Sequence, residues 1–254
     1  MTATVPEALK DFFRAHPHLA LAFSGGTDSA YLLCAALACG CDVTAYYVHS
    51  PFQPSFELED ARRLAEQLRA RLKILEMDIL SDAAVRANPP DRCYHCKVRI
   101  FTALLNAAAS DGYTALVDGT NASDDAADRP GMKALRELKV LSPLRECGIT
   151  KAMVREYSRQ SGLFTWNKPA YACLATRIPA GTALDRSTLQ RVEAAEAALT
   201  ALGFSDFRCR VFHGAARLQF PAAQLDRAIT LRGDIREALK KHFEIILIDT
   251  EDRG

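Results

Sequence analysis

The segment that most limits how this chain can fold is Leu19-Ala20-Leu21-Ala22-Phe23, followed at once by Ser24-Gly25-Gly26-Thr27-Asp28-Ser29. An apolar run this short suits a buried strand better than a helix. Gly25-Gly26 then turns the chain, and Asp28-Ser29 are residue types that open helices. A strand handed directly to a helix begins a βα unit and implies a parallel sheet covered by helices. Backbone N–H groups in such a turn, with the positive end of the helix dipole behind them, form an anion site. Glycines there let the main chain approach a phosphate where a side chain would clash. The loop lacks the lysine of a GxxxxGKS/T phosphate loop and the spacing of a GxGxxG dinucleotide fingerprint. A tightly packed turn with no ligand is the plainer reading of two glycines, and Asp28 and Ser29 are equally readable as helix caps.

The alternation continues, with strands predicted at roughly 19–23, 43–49, 72–78 and 114–118, each followed by a helical stretch. Phe56 to Ala70 carries Leu58, Ala61, Ala65 and Leu68 on one helical stripe. In open parallel sheets ligands sit beyond the carboxyl ends of the strands. The loops after 23, 49 and 118 are therefore expected to converge, bringing Thr120, Asn121 and Asp125 to the crevice of the Gly-Gly turn. Residues 163–185 carry Pro169, Pro179 and Gly181 with little periodicity, which marks a connection. Beyond it, Leu189, Val192, Leu199 and Leu202 recur at helical spacing up to Gly203. Alternating segments near 207–212 and 216–220, a helix on Ile235, Leu239 and Phe243, and a strand over 244–249 complete a small α/β appendage. The expected layout is α/β throughout: a nucleotide-binding domain over 1–165, a connection over 166–185 and a small domain over 186–254. The Ser-Gly-Gly-x-Asp-Ser order at a strand–helix junction resembles the PP-loop of ATP pyrophosphatases. That resemblance implies a parallel sheet flanked by helices and an ATP whose β/γ pyrophosphate is held while a nucleophile attacks the α-phosphorus.

Composition excludes several other classes. The net charge is +1 over 254 residues, without the basic surface of a nucleic-acid binder. Met1 to Glu7 lacks the layout of a signal peptide, and the longest uncharged apolar run, Tyr31 to Cys41, is too short to span a bilayer. A cytoplasmic protein without a membrane partner is expected. Its eight cysteines then read as thiols or metal ligands rather than as a disulfide framework. Cys93 and Cys96 form a CxxC, which can be half a zinc site, a redox pair or part of an iron–sulfur site, and no second CxxC accompanies it. Cys173 lies in the irregular connection. Cys34, Cys39, Cys41, Cys147 and Cys209 read as core or incidental, and Trp166 and Tyr171 as packing residues. Asp124, Asp125 and Asp128 have the pattern of a solvated acidic loop. Arg208 and Arg210 alternate onto one face of a predicted strand with His213 in the following turn, a pattern equally consistent with an exposed strand face.

Taken together, the Ser24–Ser29 loop, Pro90 to Lys97, Asp118 to Asn121, Arg129-Pro130-Gly131, Leu141 to Leu144, Thr150-Lys151, the Ala172–Pro179 segment and Leu202 to Gly214 resemble the LarE family. These are ATP-dependent sulfur transferases that build the nickel-pincer nucleotide of lactate racemase. The resemblance implies that a carboxylate of a pyridinium biscarboxylate mononucleotide attacks the α-phosphorus of ATP, releasing pyrophosphate and leaving an acyl adenylate. Sulfur then displaces AMP to give a thiocarboxylate. It assigns Ser24, Gly25, Gly26, Thr27, Asp28, Ser29, Gly119, Thr120 and Asn121 to ATP and Mg²⁺, with Asp28 and Cys173 catalytic. It assigns Arg208 and Arg210 to the phosphate of the acceptor and His213 to the same substrate; Arg177, four residues after Cys173, reads as a further anion contact. One branch of the family sacrifices the sulfur of the cysteine matching Cys173. The other holds a four-iron four-sulfur (4Fe-4S) cluster on three cysteines, and the presence of Cys93, Cys96 and Cys173 places the expectation on that branch. Sulfide or another sulfur donor and a second copy of the chain, in a homo-oligomer, are the partners implied.

Rival readings are a tRNA-thiolating PP-loop enzyme, an ammonia-using PP-loop ligase with structural zinc, and a non-enzymatic nucleotide-binding module. Near-neutral charge and the absence of an RNA-binding module weigh against the first.

Overall fold

The computed structural model describes residues 3–124 and 130–251. In chain order the elements are α1 (Glu7–Ala15), β1 (His18–Ala22), α2 (Thr27–Ala38), β2 (Asp42–His49), α3 (Ser55–Leu68) and β3 (Arg71–Glu76). Next come α4 (Ala83–Arg86), α5 (Arg92–Ser110), β4 (Leu116–Val117), α6 (Pro130–Glu137), α7 (Pro143–Glu146) and α8 (Lys151–Gln160). The chain ends with α9 (Arg186–Ala201), β5 (Arg208–Phe212), β6 (Ala215–Gln219), α10 (Ala222–Thr230), α11 (Arg232–Leu239) and β7 (Ile246–Ile248). Two compact units emerge. The larger comprises 1–50, 55–77 and 91–168, and the smaller 51–54, 78–90 and 169–254.

The larger unit is built on a four-stranded, all-parallel sheet of order β3-β2-β1-β4. This is the expected fold, that of the PP-loop ATP pyrophosphatases. β1 is central because its residues can be buried on both faces. Leu19 and Leu21 enter one core with Leu32, Leu33 and Val154, while Ala20 faces another with Phe101, Leu104 and Leu135. Val43, Ala45 and Tyr47 of β2 alternate with Tyr46 and Val48 in the same way. α2 is buried along nearly its whole length, which its small and apolar residues permit.

The smaller unit holds a three-stranded sheet of order β5-β6-β7. β5 and β6 form an antiparallel hairpin closed by His213 and Gly214, both at positive φ (48° and 83°). Two such residues match the right-handed strand twist, as tight hairpin turns require. α9 is capped by Leu202, with Gly203 at φ +81°, and Arg227 donates to the Leu202 and Gly203 carbonyls at 2.7 Å each. From Pro169 on, the stretch expected as a connection belongs to this unit, fastened to pieces from earlier in the chain. Leu174 N–H donates to the Phe52 carbonyl at 2.9 Å, and the Asn88 side chain donates to the Pro179 and Thr182 carbonyls at 2.8 and 3.1 Å. Among the described residues no helix is long and apolar enough to cross a membrane.

Candidate active site

The chain leaves the larger sheet at Phe23, whose N–H donates to the Tyr46 carbonyl at 2.9 Å. Gly25 sits at φ +70°, and a Cβ there would lie 3.2 Å from the Glu57 carbonyl oxygen and 3.3 Å from the Ala61 Cβ. Conformation and space both select glycine. Gly26 is the N-cap of α2 and offers no capping side chain, so the opening N–H groups of the helix depend on other partners. Hydroxyls brace the loop from within. Ser24 and Ser29 Oγ lie 3.1 Å apart, Ser29 donates to the Gly26 carbonyl at 3.2 Å, and Thr27 donates to the Thr165 carbonyl at 2.9 Å.

Asp28 is the chemical centre of this arrangement. One carboxylate oxygen accepts from Asn121 Nδ2 at 3.2 Å and the other pairs with Lys151 Nζ at 2.5 Å. Lys151 opens α8, where the helix dipole disfavours a cation; the pair with Asp28 offsets that cost. No local pattern in the sequence marks Lys151 for this role; its one signal is a lysine at the first position of a helix, after the capping Thr150. Gly119 packs against the first turn of α2, where a Cβ would lie 2.9 Å from Ser29 N. Buried Asp118 fixes that loop, accepting from Ser142 Oγ at 2.7 Å and from Thr120 Oγ1 at 2.5 Å. The structure thus brings Ser24–Ser29, Gly119 and Asn121 together, while the Thr120 hydroxyl turns onto Asp118. Asp124 departs from the expected solvated loop. Its carboxylate accepts from the Asn121 N–H at 2.9 Å, which makes it a turn residue. Asp125, Asp128 and Arg129 lie outside the described residues.

None of the eight cysteines is in a disulfide. Cys93 is exposed and Cys96 half-buried on the first turn of α5, in the larger unit, and Arg92 donates to Cys93 Sγ at 3.7 Å. Cys173, half-buried, precedes a short 3₁₀ turn (Leu174–Arg177) in the smaller unit. Among the described residues no three His, Cys, Asp or Glu side chains gather into a metal-holding group. Cys34, Cys41 and Cys209 are buried, and burial pushes the Cys41 thiol up to about 11 and that of Cys209 up to about 12. Those three are core residues; Cys39 is exposed.

In the smaller unit Arg208 and Arg210 do share a strand face, but neither is a simple exposed arginine. Arg208 is 6% exposed, donates to the Phe207 and Ala170 carbonyls at 2.6 and 2.9 Å, and lies over the Tyr171 ring. Arg210 donates to Gln219 Oε1 at 2.6 Å and to the Thr176 carbonyl at 2.8 Å. Arg177 departs from the expected anion contact. It is fully buried, bonds Glu196 through Nε (2.9 Å) and Nη2 (3.1 Å), and donates to the Ala172 carbonyl at 2.8 Å. Glu196 also accepts from the Tyr171 hydroxyl at 2.5 Å and the Cys209 N–H at 2.9 Å. This buried hub went unnoticed in the sequence, where Glu196 reads as one more helix acid. His213 sits at the hairpin tip, at the opposite end of β5 from Arg208. Trp166, expected to pack, is 39% exposed.

No family profile matches the chain. It is 35% identical, over 97% of its own length and 89% of the relative's, to the pyridinium-3,5-bisthiocarboxylic acid mononucleotide synthase of Lactiplantibacillus plantarum. An uncharacterized protein of Synechocystis is 34% identical over 88% of this chain and 84% of its own. Another, of Methanocaldococcus jannaschii, is 27% identical over 96% and 93%.

Proposed function

The chain belongs to the LarE family, that of the pyridinium-3,5-bisthiocarboxylic acid mononucleotide synthase, and on that premise we propose that it is an ATP-dependent sulfurtransferase. Its acceptor is a pyridinium biscarboxylate mononucleotide, and its product a thiocarboxylate for nickel-pincer nucleotide synthesis. The observation that carries this reading is the convergence of the Ser24–Ser29 loop, Gly119, Asn121 and Lys151 on Asp28, in a chain related over almost its full length to a synthase of that product.

Each group then has a task. The Gly25-Gly26 turn and the positive end of α2 receive the β/γ-phosphates of ATP, favouring the charge that develops as pyrophosphate departs. Asp28 supplies a carboxylate for Mg²⁺, and Lys151 provides a cation beside it. The acceptor's carboxylate oxygen bonds the α-phosphorus as the bond to pyrophosphate breaks. Sulfur then bonds the acyl carbon as AMP leaves. Arg208 and Arg210 hold the acceptor's phosphate through charge-assisted hydrogen bonds, with His213 assigned to the same substrate.

Sulfur delivery is assigned to Cys173. Three thiols outside any disulfide are the donor type that iron–sulfur clusters use, and we assign Cys93, Cys96 and Cys173 as ligands of a 4Fe-4S cluster. Such a cluster, when bound, would supply the sulfide for transfer. The assignment rests on the cysteine pattern, since the described residues contain no gathered three-ligand group.

Product analysis tests the whole reading. With Mg²⁺, sulfide and the acceptor, ATP should yield AMP and pyrophosphate, and the acceptor should gain mass by exchange of oxygen for sulfur. ADP and phosphate as products would refute it. Iron in anaerobically prepared protein, lost in Cys93→Ala, supports the cluster; an iron-free protein whose Cys173 becomes dehydroalanine after one turnover establishes the sacrificial route.

A further inference from the structure

The segment that carries Cys173 has little regular structure, yet arginines grip its backbone. Arg208 donates to the Ala170 carbonyl (2.9 Å), Arg177 to Ala172 (2.8 Å) and Arg210 to Thr176 (2.8 Å). Two of these bonds come from β5, from the same guanidinium groups assigned above to the acceptor's phosphate. A phosphate competes with a neutral carbonyl for such N–H groups and forms the stronger bond. Access points the same way. With Arg208 only 6% exposed, an incoming phosphate must displace something that covers it. Phe207 and Asp206 touch Arg208 from the two positions directly before it in the chain and stay beside it. The Ala170 carbonyl lies in irregular chain and can leave, whereas Tyr171, its ring 5.5 Å away, stays on the Glu196 hub through its hydroxyl. Cys173 follows two residues after Tyr171. Arg177 is different, because its buried pair with Glu196 keeps the Leu174–Arg177 turn anchored whatever occupies β5.

We propose that Arg208 and Arg210 are positioning residues for Cys173 as well as phosphate ligands. Without a phosphate they hold the Ala170 and Thr176 carbonyls on either side of Cys173, and the acceptor's phosphate draws both guanidinium groups away, loosening the chain that flanks Cys173 while Arg177 keeps its hold on Ala172. The inference deepens the phosphate assignment for these arginines and rests on it. It also gives those arginines a role in timing.

Hydrogen exchange read by mass spectrometry tests it on the intact protein, with nicotinic acid mononucleotide as the probe and nicotinic acid riboside as its phosphate-free control. Calorimetry first establishes binding. The mononucleotide should speed exchange across 170–173 by about tenfold, the equivalent of one charge-assisted hydrogen bond, and leave the anchored 174–177 turn and β1 unchanged. The riboside should do neither. Arg208→Gln should exchange fast in this segment without ligand and respond little to it; Arg210→Gln, at the less buried position, gives the same reading should Arg208→Gln fail to fold. Phosphate-dependent binding with unchanged or slower exchange overturns the coupling and leaves the phosphate assignment standing. Equal affinity for mononucleotide and riboside overturns both.

Discussion

Replacing Gly119 by alanine puts one methyl group into the tightest backbone approach at the site. The new Cβ would lie 2.9 Å from Ser29 N and 3.3 Å from the backbone carbon and Cβ of Asp28. These atoms belong to the first turn of a buried helix, so no flexible side chain can yield. Relief requires the β4–α6 loop to retreat by a few tenths of an ångström. Overpacking of this kind costs about 1–3 kcal/mol, and at this chain length each kcal/mol lowers the melting temperature by about 2–4 °C. The retreat also carries Asn121 away from Asp28, now 3.2 Å distant. Pyrophosphate release should therefore fall along with stability. Gly233→Ala is the control, because a Cβ there meets nothing within 4 Å and its φ is ordinary. In α11 it should be neutral or stabilising by up to about 1 kcal/mol, through helix propensity. Thermal melts and a pyrophosphate-release assay on both variants decide the matter. A Gly119→Ala protein that melts and turns over like wild type would show that the β4 loop does not press on α2 as described.

Glu196→Ala leaves the Arg177 guanidinium buried without its carboxylate and should cost about 3–5 kcal/mol in urea unfolding; a loss below about 1 kcal/mol would contradict its role as a hub. Bonds from Lys73, then Tyr46, hold the Asp111 carboxyl below the ordinary range. A depressed folded-state value contributes stability above the ordinary Asp value of about 4, and that contribution disappears as pH falls through the lowered value. The stability gap between wild type and Asp111→Asn should thus be present at neutral pH and shrink in acid; a pH-independent gap would reject this account. Burial keeps the Cys209 thiol protonated up to about pH 12. Alkylation of the native protein at mildly alkaline pH should therefore mark exposed Cys93 and Cys39 and spare Cys209 until unfolding, as peptide mapping would show.

Much of the larger unit could be read before any coordinates. Leu19 to Ser29 dictates its own structure, because a short apolar run, two glycines and a helix-opening pair act within one turn of chain. The β2 and β3 segments, α3 and the Gly203 helix stop were legible for the same reason, since periodicity and backbone φ are local properties. α10 is not legible in the sequence, because its pattern is short and follows a strand closely. The expected boundary near residue 165 could not anticipate that 51–54 and 78–90 join the smaller unit. That membership is decided by bonds such as those from Asn88 to carbonyls more than ninety residues away.

Residue types and motif order determined the family of chemistry this protein could host: a phosphate-receiving turn, an acid beside it, three separable thiols and paired arginines. Tertiary structure alone decided how those groups are spent. It set Lys151 against Asp28 across 123 positions of sequence, and it withdrew Arg177 from solvent to Glu196. It also laid Arg208 and Arg210 on the backbone around Cys173. A charged side chain's partner is whatever packing brings within about 3 Å, and packing sums weak contacts from the whole unit, which no local pattern of residues contains.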